Sequence, residues 1–219
     1  MRKLFVVCVL FVSLGAQPLA HAPVPAACPS IAIAKLTSRS PGGAPQYGTA
    51  IAVGLSPARR ALFVTALHCT SWSGSITIEA GGASMPASIY AIDSYHDIAL
   101  LVADVPAGAR LSVWSIATVT PDGAYKWGGY QPYGSRKYIE SSAWTTKWPE
   151  KRYRDTSLQG DVLVKQGMSG GPVYKMPGVL CGMILTVQDE TSAAVNGSII
   201  NKAVRAANSS LRREALTPR

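Results

Sequence analysis

The stretch GMSGGP at residues 167–172 is the point from which the rest of this sequence can be interpreted. Its serine, Ser169, stands between glycines, which allow a tight turn and let backbone amides point at a bound atom. A serine in such a turn is by itself more often a turn residue than a reactive one. A chemical role for Ser169 therefore requires partners elsewhere in the 219-residue chain.

The order of residues along the chain limits what those partners can be. All three histidines, His21, His68 and His96, precede Ser169. The stretch satisfies the G-x-S-x-G pattern of the α/β-hydrolase elbow, but that fold places its acid and then its histidine after the serine. A histidine, then an acid, then a serine is the order of the chymotrypsin type. We therefore expect the partners of Ser169 upstream.

Two upstream stretches supply a candidate base and a candidate acid. His68 follows the apolar segment at residues 64–67, and Asp97 precedes the apolar segment at residues 98–102. An imidazole, with an ordinary pKa of about 6.5, can take the proton of a serine hydroxyl near neutral pH. A carboxylate can hold the imidazole tautomer and stabilise the imidazolium. The apolar neighbours of Asp97 predict an interior position, where its charge needs a partner.

Other titratable residues near this pair have plainer interpretations. His96 is expected to be a solvent-facing or hydrogen-bonded neighbour of Asp97. Asp93 and Asp104 are alternative acids, but both lie outside the entry of the apolar strand. We expect them to be loop charges.

The composition favours a loop-rich, β-rich globular protein: 47% of residues are hydrophobic, 15% are charged, and there are 20 Gly and 15 Pro. Short apolar segments bounded by Gly, Ser or Pro predict strands. Six lie at residues 31–36, 47–53, 61–67, 75–79, 88–92 and 98–102, and six more at 125–130, 138–146, 157–164, 172–175, 179–187 and 193–200. Six short strands with hairpin-scale connections predict a closed or nearly closed antiparallel barrel.

The pattern divides the chain into a leader, two strand-rich units and a helical tail. The periodicity weakens at residues 106–123, so we predict a first barrel at 23–110 with His68 and Asp97, and a second at 111–200 with Ser169. Asn201 is predicted to cap a helix within residues 201–219, docked onto the second barrel. A basic amphipathic helix could instead contact a membrane.

The N-terminus predicts secretion. A basic start, an apolar run at residues 4–14 and the A-x-A pattern at 20–22 are typical of a signal peptide covering residues 1–22, with the mature chain starting at Pro23. An uncleaved anchor is the alternative. No later stretch reaches the ~18 apolar residues of a membrane span. We expect an extracellular or periplasmic protein with no permanent membrane span.

Cysteine usage suits an oxidising compartment but leaves the pairing open. Loss of Cys8 with the leader leaves Cys28, Cys69 and Cys181, so one disulfide and one free thiol is the simplest expectation, with three possible pairs. The cysteines lack the close paired spacing of a structural zinc site, and we expect no metal.

The charge balance is basic but identifies no partner. The formal net charge is +9 over the whole chain. Basic residues with interspersed aromatic residues occur at residues 136–154, a composition that can bind nucleic acid. Strand faces and loops of a secreted barrel use the same residues, so no nucleic-acid partner is expected.

The stretches around His68, Asp97 and Ser169 resemble, in order, the three signature blocks of trypsin-like (chymotrypsin-fold) serine peptidases. The separations of 29 and 72 residues resemble the compact bacterial branch that includes glutamyl endopeptidases and high-temperature-requirement peptidases. The tail NGSIIN at residues 196–201 also resembles the glutamyl endopeptidases. The resemblance implies an all-β fold of two six-stranded antiparallel β-barrels, with a triad in the cleft between them and no cofactor.

The resemblance also assigns roles. It makes Ser169 the nucleophile, His68 the general base and acid, and Asp97 the orienting carboxylate. The backbone amides of Gly167 and Ser169 would form the oxyanion hole. Met168 replaces the acid with which animal digestive members bind a newly freed N-terminus, which argues against activation by that ion pair.

The family pattern places five apolar residues around the primary substrate pocket: Leu163, Val164, Ile184, Leu185 and Val187. None can pair with a charged side chain. Glutamyl endopeptidases have a histidine where this sequence has Ile184, so glutamate specificity is not inherited. We expect an apolar pocket that takes residues such as Ala, Val or Leu.

A cysteine at position 69 is also common in trypsin-like enzymes. Its usual partner just upstream is absent, since Tyr47 or its neighbours stand there. Cys28 or Cys181 must substitute, or Cys69 stays free.

These observations predict a secreted serine endopeptidase that acts on protein or peptide substrates through an acyl-enzyme. The rival hypothesis is a non-catalytic secreted binding protein of the same fold that uses a basic surface. A third is an enzyme that acts on esters or on one dedicated protein partner, because acyl transfer does not itself choose the leaving group.

Overall fold

The computed structural model describes residues 29–70, 74–118, 120, 122–132, 136–147, 157–188 and 191–216. The predicted signal peptide, Cys28 and residues 148–154 of the basic and aromatic segment lie outside the described residues. Among the described helices, none combines the length and the apolar character that a membrane span requires.

A first barrel follows the four-residue helix α1 (Pro29–Ala32). Its strands are β1 (Ile33–Arg39), β2 (Pro45–Leu55), β3 (Arg60–Ala66), β4 (Ser75–Ala80), β5 (Ala83–Asp93) and β6 (Ile98–Asp104). They close antiparallel in the order β1-β2-β3-β6-β5-β4. The predicted strand at residues 31–36 therefore begins with the end of a helical turn.

The connection between the barrels contains the short strand β7 (Ser115–Ile116). The second barrel consists of β8 (Gly123–Tyr130), β9 (Tyr138–Lys147), β10 (Ser157–Gly160), β11 (Pro172–Tyr174), β13 (Gly182–Gln188) and β14 (Thr191–Asn196). It closes in the order β10-β14-β13-β11-β8-β9. A short strand β12 (Val179–Leu180) pairs in parallel with β7. The predicted fold class, two closed six-stranded antiparallel barrels and a C-terminal helix, is confirmed.

The central strands β3 and β6 are buried on both faces, which explains their continuous apolar sequence. Phe63, Leu100 and Leu101 are among the largest fully buried side chains of the first barrel, and Trp127 is fully buried in the second. Burial of apolar area on this scale is the main stabilising contribution to such a fold. The candidate base and acid lie at one end of the paired strands β3 and β6.

The C-terminal helix begins earlier than its predicted cap at Asn201. Strand β14 ends at Asn196, and helix α2 spans Gly197–Leu216. The side-chain oxygen of Asn196 accepts the N–H of Ser198 at 2.9 Å, so Asn196 caps the helix. Residues 197–200, predicted as the end of a strand, are helical because this cap starts the helix at once.

Helix α2 packs against both barrels, not only against the second as predicted. Ile200, Val204 and Ala207 belong to the same buried cluster as the first-barrel core. The hydroxyl of Tyr90 on β5 donates to the carbonyl of Ala207 at 3.3 Å. The helix therefore contacts both barrels and links them.

Candidate active site

His68 and Asp97 meet because of the register between β3 and β6. Ala66, the last residue of β3, pairs with Ile98, the first residue of β6, so the residues just beyond these ends are neighbours. The N–H of His68 donates to Asp97 Oδ1 at 2.9 Å, and His68 Nδ1 lies 2.6 Å from Asp97 Oδ2. The Leu67 N–H donates to the Asp97 carbonyl at 2.9 Å. Both carboxylate oxygens therefore hold the same histidine.

The pair lies at the rim of the barrel. The Asp97 side chain is 33% exposed and that of His68 is 47% exposed, so the predicted interior position of Asp97 is wrong. Asp97 precedes its strand and adopts a left-handed backbone conformation with φ of 55°, which aspartate tolerates better than most residues. This conformation places the carboxylate at the strand end and not inside the barrel.

The environment of His68 favours its protonated form. The hydrogen bond with Asp97, and after it one with Cys69, raises the pKa of His68 above its ordinary value of 6.5, while burial acts in the opposite direction. With Nδ1 directed at the carboxylate, neutral His68 carries its proton on Nδ1 and leaves Nε2 as the acceptor. This is the tautomer that a base for a serine hydroxyl needs.

Ser169 lies where the second barrel contacts the first. Its carbonyl accepts the N–H of Thr49 on β2 at 2.8 Å, and the thiol of Cys69 lies 3.8 Å from the same oxygen. Its hydroxyl donates to the carbonyl of Leu185 at 2.9 Å. In the described part of the chain, no hydrogen bond joins this hydroxyl to His68. The fold thus brings the serine loop to the residue beside His68, with the hydroxyl turned toward Leu185.

A bulge explains the position of the Leu185 carbonyl. The register of β13 against β14 shifts between Ile184 and Thr186, which leaves Leu185 as the extra residue. A bulge re-aims the backbone groups of the residue that it inserts. The carbonyl of Leu185 is therefore available to Ser169.

Two amides in the serine loop are unused donors. Among the described residues, neither the N–H of Gly167 nor that of Ser169 makes a hydrogen bond. Both backbone groups of Met168, which lies between these two residues, are paired. Its N–H donates to the Lys165 carbonyl at 3.0 Å, and its carbonyl accepts the Gly171 N–H at 2.8 Å. Backbone donors in a folded protein are usually paired. Two unpaired N–H groups beside a serine form a potential anion-binding site.

Comparison with known families accounts for this arrangement. The profile of the trypsin-like peptidase domain matches residues 48–183. The chain belongs to the trypsin-like peptidase family. The match includes His68, Asp97 and Ser169 within its bounds.

Solved structures share the fold of this trypsin-like peptidase at low sequence identity. The serine endoprotease from Yersinia pestis superposes with a TM-score of 0.65 at 17% identity, covering 81% of this chain and 63% of the other. The Rv3671c protease in its inactive form gives a TM-score of 0.63 at 18% identity, covering 84% of this chain and 92% of the other. This chain thus spans less than two thirds of the Yersinia protein. Among curated proteins, none matches.

In this member of the trypsin-like peptidase family, an apolar side chain anchors the serine loop. Met168 is buried in the core of the second barrel, and its sulfur accepts the N–H of Lys165 at 3.3 Å. A Cβ at Gly129 would lie 2.7 Å from the Met168 Cα, so glycine is needed for this approach. Burial of the apolar Met168 side chain fixes the position of the serine loop. An acidic side chain at position 168 would need a charged partner instead.

The structure does not gather the predicted pocket residues on one surface. Val164, Ile184 and Leu185 are buried, and Ile184 lies in the core of the second barrel. Leu163 is 63% exposed. The side chain of Val187 lies outside the described residues. Alternation along β13 turns Ile184 inward, so a pocket wall formed by its side chain is not supported, and the apolar pocket stays a prediction.

The cysteines of this family member do not pair in the described part of the chain. Cys69 and Cys181 are both free and buried. A Cβ at Gly48 would lie 2.8 Å from the Cys69 sulfur, which identifies Gly48 as the upstream residue opposite Cys69. Since Cys28 lies outside the described residues, the disulfide stays a prediction.

A second histidine–aspartate pair lies nearby and was not predicted from the sequence. His96 Nδ1 is 2.6 Å from Asp93 Oδ2, and Asp93 Oδ1 accepts the N–H groups of Tyr95 and His96. Asp93 thus caps the turn that leads to Asp97, whereas Asp104 is exposed near Arg60. An aspartate three residues before a histidine was the only signal in the sequence.

Within the described ranges, no group of three His, Cys, Asp or Glu residues could hold a metal ion.

Gly170 sets how closely the barrels approach, which leads to a testable prediction. Its φ is +82°, and a Cβ there would lie 2.0 Å from the Thr49 carbonyl and 2.4 Å from Thr65 Oγ1. Gly170→Ala is expected to destabilise the protein by at least about 2 kcal/mol in denaturant unfolding. Gly178→Ala is the matched control, because its φ is +89° with open space around the Cβ. Equal destabilisation by both variants would contradict a role for the contact.

Proposed function

We propose that this chain is a secreted serine endopeptidase that cleaves peptide bonds through an acyl-enzyme. One observation carries the proposal: His68, held by both oxygens of Asp97, lies beside a serine loop that offers two unpaired amides. In this proposal Ser169 is the nucleophile, His68 the general base and acid, and Asp97 the orienting carboxylate. Family membership supports peptidase chemistry, and the assignment of each role is ours.

The chemistry requires one movement of the serine side chain. In this proposal, rotation about χ1 moves the Ser169 hydroxyl away from the Leu185 carbonyl, its partner in the structure, and toward His68 Nε2. His68 then accepts the hydroxyl proton as Oγ bonds to the substrate carbonyl carbon. The same proton passes to the leaving amine, and the peptide bond breaks. A water molecule, deprotonated by His68, then attacks the acyl carbon. The bond between that carbon and Oγ breaks, and His68 returns the proton to Oγ.

The two unpaired amides have a separate task. As Oγ attacks, the carbonyl oxygen of the substrate becomes negatively charged, and the N–H groups of Gly167 and Ser169 are the donors available to it. Preorganised donors of this kind are worth ~10²–10³-fold each in rate. Asp97 stabilises the imidazolium that forms at the same moment.

Active-site labelling tests the proposed function. A fluorophosphonate probe is expected to label the folded mature protein on Ser169, as identified by mass spectrometry of the modified peptide. His68→Ala should lower the labelling rate strongly, because the hydroxyl then lacks its base. Heat-denatured protein is the control for non-specific reaction. An absence of labelling, or labelling on another serine, would contradict the proposal and favour a non-catalytic binding protein.

The proposed substrate preference is apolar. No described pocket candidate carries a charge, so we propose cleavage after residues such as Ala, Val or Leu. A peptide library profiled by mass spectrometry measures this directly. A profile dominated by Glu, Lys or Arg at the cleaved position would contradict the preference and leave the catalytic proposal intact.

A further inference from the structure

The hydroxyl of Thr49 joins the first barrel to the serine loop of the second. It donates to the carbonyl of Gly167 at 2.9 Å and accepts the N–H of Tyr130 at 2.9 Å. Because the Tyr130 N–H occupies a lone pair of the hydroxyl, the single hydroxyl hydrogen is directed at Gly167. Thr49 is fully buried, so water does not compete for either bond.

The backbone of Thr49 adds two more contacts. Its N–H donates to the Ser169 carbonyl at 2.8 Å, and its carbonyl accepts the hydroxyl of Thr65 at 2.7 Å. Thr65 is also fully buried. Thr49 thus holds the carbonyls of Gly167 and Ser169, the two residues whose amides are unpaired.

We propose that Thr49 is a positioning residue for the oxyanion-binding amides. This inference rests on the proposed function. The Thr49 hydroxyl donates to the oxygen of the Gly167–Met168 peptide group. The N–H of the same peptide group, that of Met168, donates to the Lys165 carbonyl. Since a peptide group is planar, fixing both ends fixes its orientation.

Glycine makes this restraint necessary. Gly167 has a φ of +85°, and glycine populates both signs of φ with little penalty. Without the Thr49 hydroxyl, no described contact holds the Gly167 carbonyl, and the Gly167–Met168 peptide group is held only through its N–H, so its orientation is less restrained. The Gly167 amide is attached to the same α-carbon, so its direction becomes less well defined. Thr49 therefore acts on catalysis through Gly167, without touching the substrate.

An isosteric pair of variants tests this role. Thr49→Val keeps the shape and removes the hydroxyl, and we expect kcat to fall about tenfold or more, approaching the ~10²-fold effect of a lost oxyanion donor. KM should change little, because ground-state binding does not use the developing charge. Thr49→Ser keeps the hydroxyl and should restore most of kcat. A peptide aldehyde, which forms a tetrahedral adduct, should bind more weakly to Thr49→Val in proportion to the lost kcat/KM.

The control separates positioning from general destabilisation. Thr145 is also fully buried, and its hydroxyl accepts the Trp127 Nε1–H at 2.9 Å. Among the described residues, no hydrogen bond joins Thr145 to the serine loop. Thr145→Val makes the same chemical change and should leave kcat and aldehyde affinity unchanged.

Each outcome decides the inference. Unchanged kcat in Thr49→Val, equal losses in both valine variants, or no rescue by serine would overturn the role of Thr49 while leaving the proposed function intact. A wild-type protein that neither cleaves peptides nor reacts with a fluorophosphonate would overturn the proposed function, and the inference with it. Loss confined to Thr49→Val and recovered in Thr49→Ser supports it.

Discussion

Ser169→Ala is expected to lower kcat by about 10⁶-fold, because the variant lacks the oxygen that forms the acyl-enzyme. No acyl-enzyme should accumulate in single-turnover measurements of this variant. The fold should persist, since among the described residues the Ser169 hydroxyl makes one hydrogen bond, to the Leu185 carbonyl, and a bond of this kind contributes ~1 kcal/mol. Steady-state hydrolysis of a peptide substrate and thermal unfolding measure the two effects.

The control for this variant is a serine outside the loop. Ser84 lies exposed on β5, so Ser84→Ala should keep wild-type kcat. Retention of more than a small fraction of kcat in folded Ser169→Ala would mean that another nucleophile acts, and the proposed mechanism would be wrong.

Asp97→Asn is expected to lower kcat by ~10⁴-fold, the loss typical when the orienting carboxylate becomes an amide. The amide oxygen of the variant can still accept the backbone N–H of His68. If its NH₂ group is directed at His68 Nδ1, however, it favours the imidazole tautomer with the proton on Nε2. His68 could then no longer accept the proton of Ser169. Kinetics at saturating substrate measure this loss.

The pH profile gives the second readout of Asp97→Asn. Only neutral His68 can act as a base, so activity is present above its pKa and is lost as pH falls through it. Because the contact with Asp97 raises the pKa of His68, the acid limb of wild-type kcat/KM should have its midpoint above pH 6.5. In Asp97→Asn the midpoint should move to lower pH. An unmoved midpoint would contradict the assignment of the limb to His68.

The contact between His68 and Asp97 also makes stability depend on pH. The direction is opposite to that of activity, because this contribution to stability is lost as pH rises. A pKa raised by folding stabilises the native state fully below the unfolded value, and that contribution is lost as pH rises through the folded pKa. The Tm difference between wild type and Asp97→Asn should therefore be larger near pH 6 than in more alkaline solution, with ~6.5 as the unfolded reference.

Asp93→Asn is the matched control for the activity loss. It removes a carboxylate from a pair of the same length, His96 with Asp93 at 2.6 Å, and His96 has no role in the proposed mechanism. Its loss of kcat should be far smaller than that of Asp97→Asn. Similar losses in both variants would indicate that the turn, and not the charge beside His68, matters.

Local patterns were sufficient where a segment makes its own structure. The apolar segments around residues 61–67 and 98–102 predicted β3 and β6, because both strands are buried on two faces and need apolar residues throughout. The start of α2 was missed because Asn196 and Asn201 are equally good caps in sequence. The side-chain oxygen of Asn196 accepts the Ser198 N–H at the point where β14 ends.

The sequence by itself determined the family-like order of His68, Asp97 and Ser169 and the presence of two strand-rich units, because motif chemistry and strand periodicity are local properties. Only the tertiary structure decided that Ser169 turns toward Leu185 and that Thr49 holds the carbonyls of Gly167 and Ser169. Those contacts include a hydroxyl bond between Thr49 and Gly167, residues 118 positions apart. Their geometry follows from how two closed barrels pack, and a threonine inside an apolar strand carries no local signal of it.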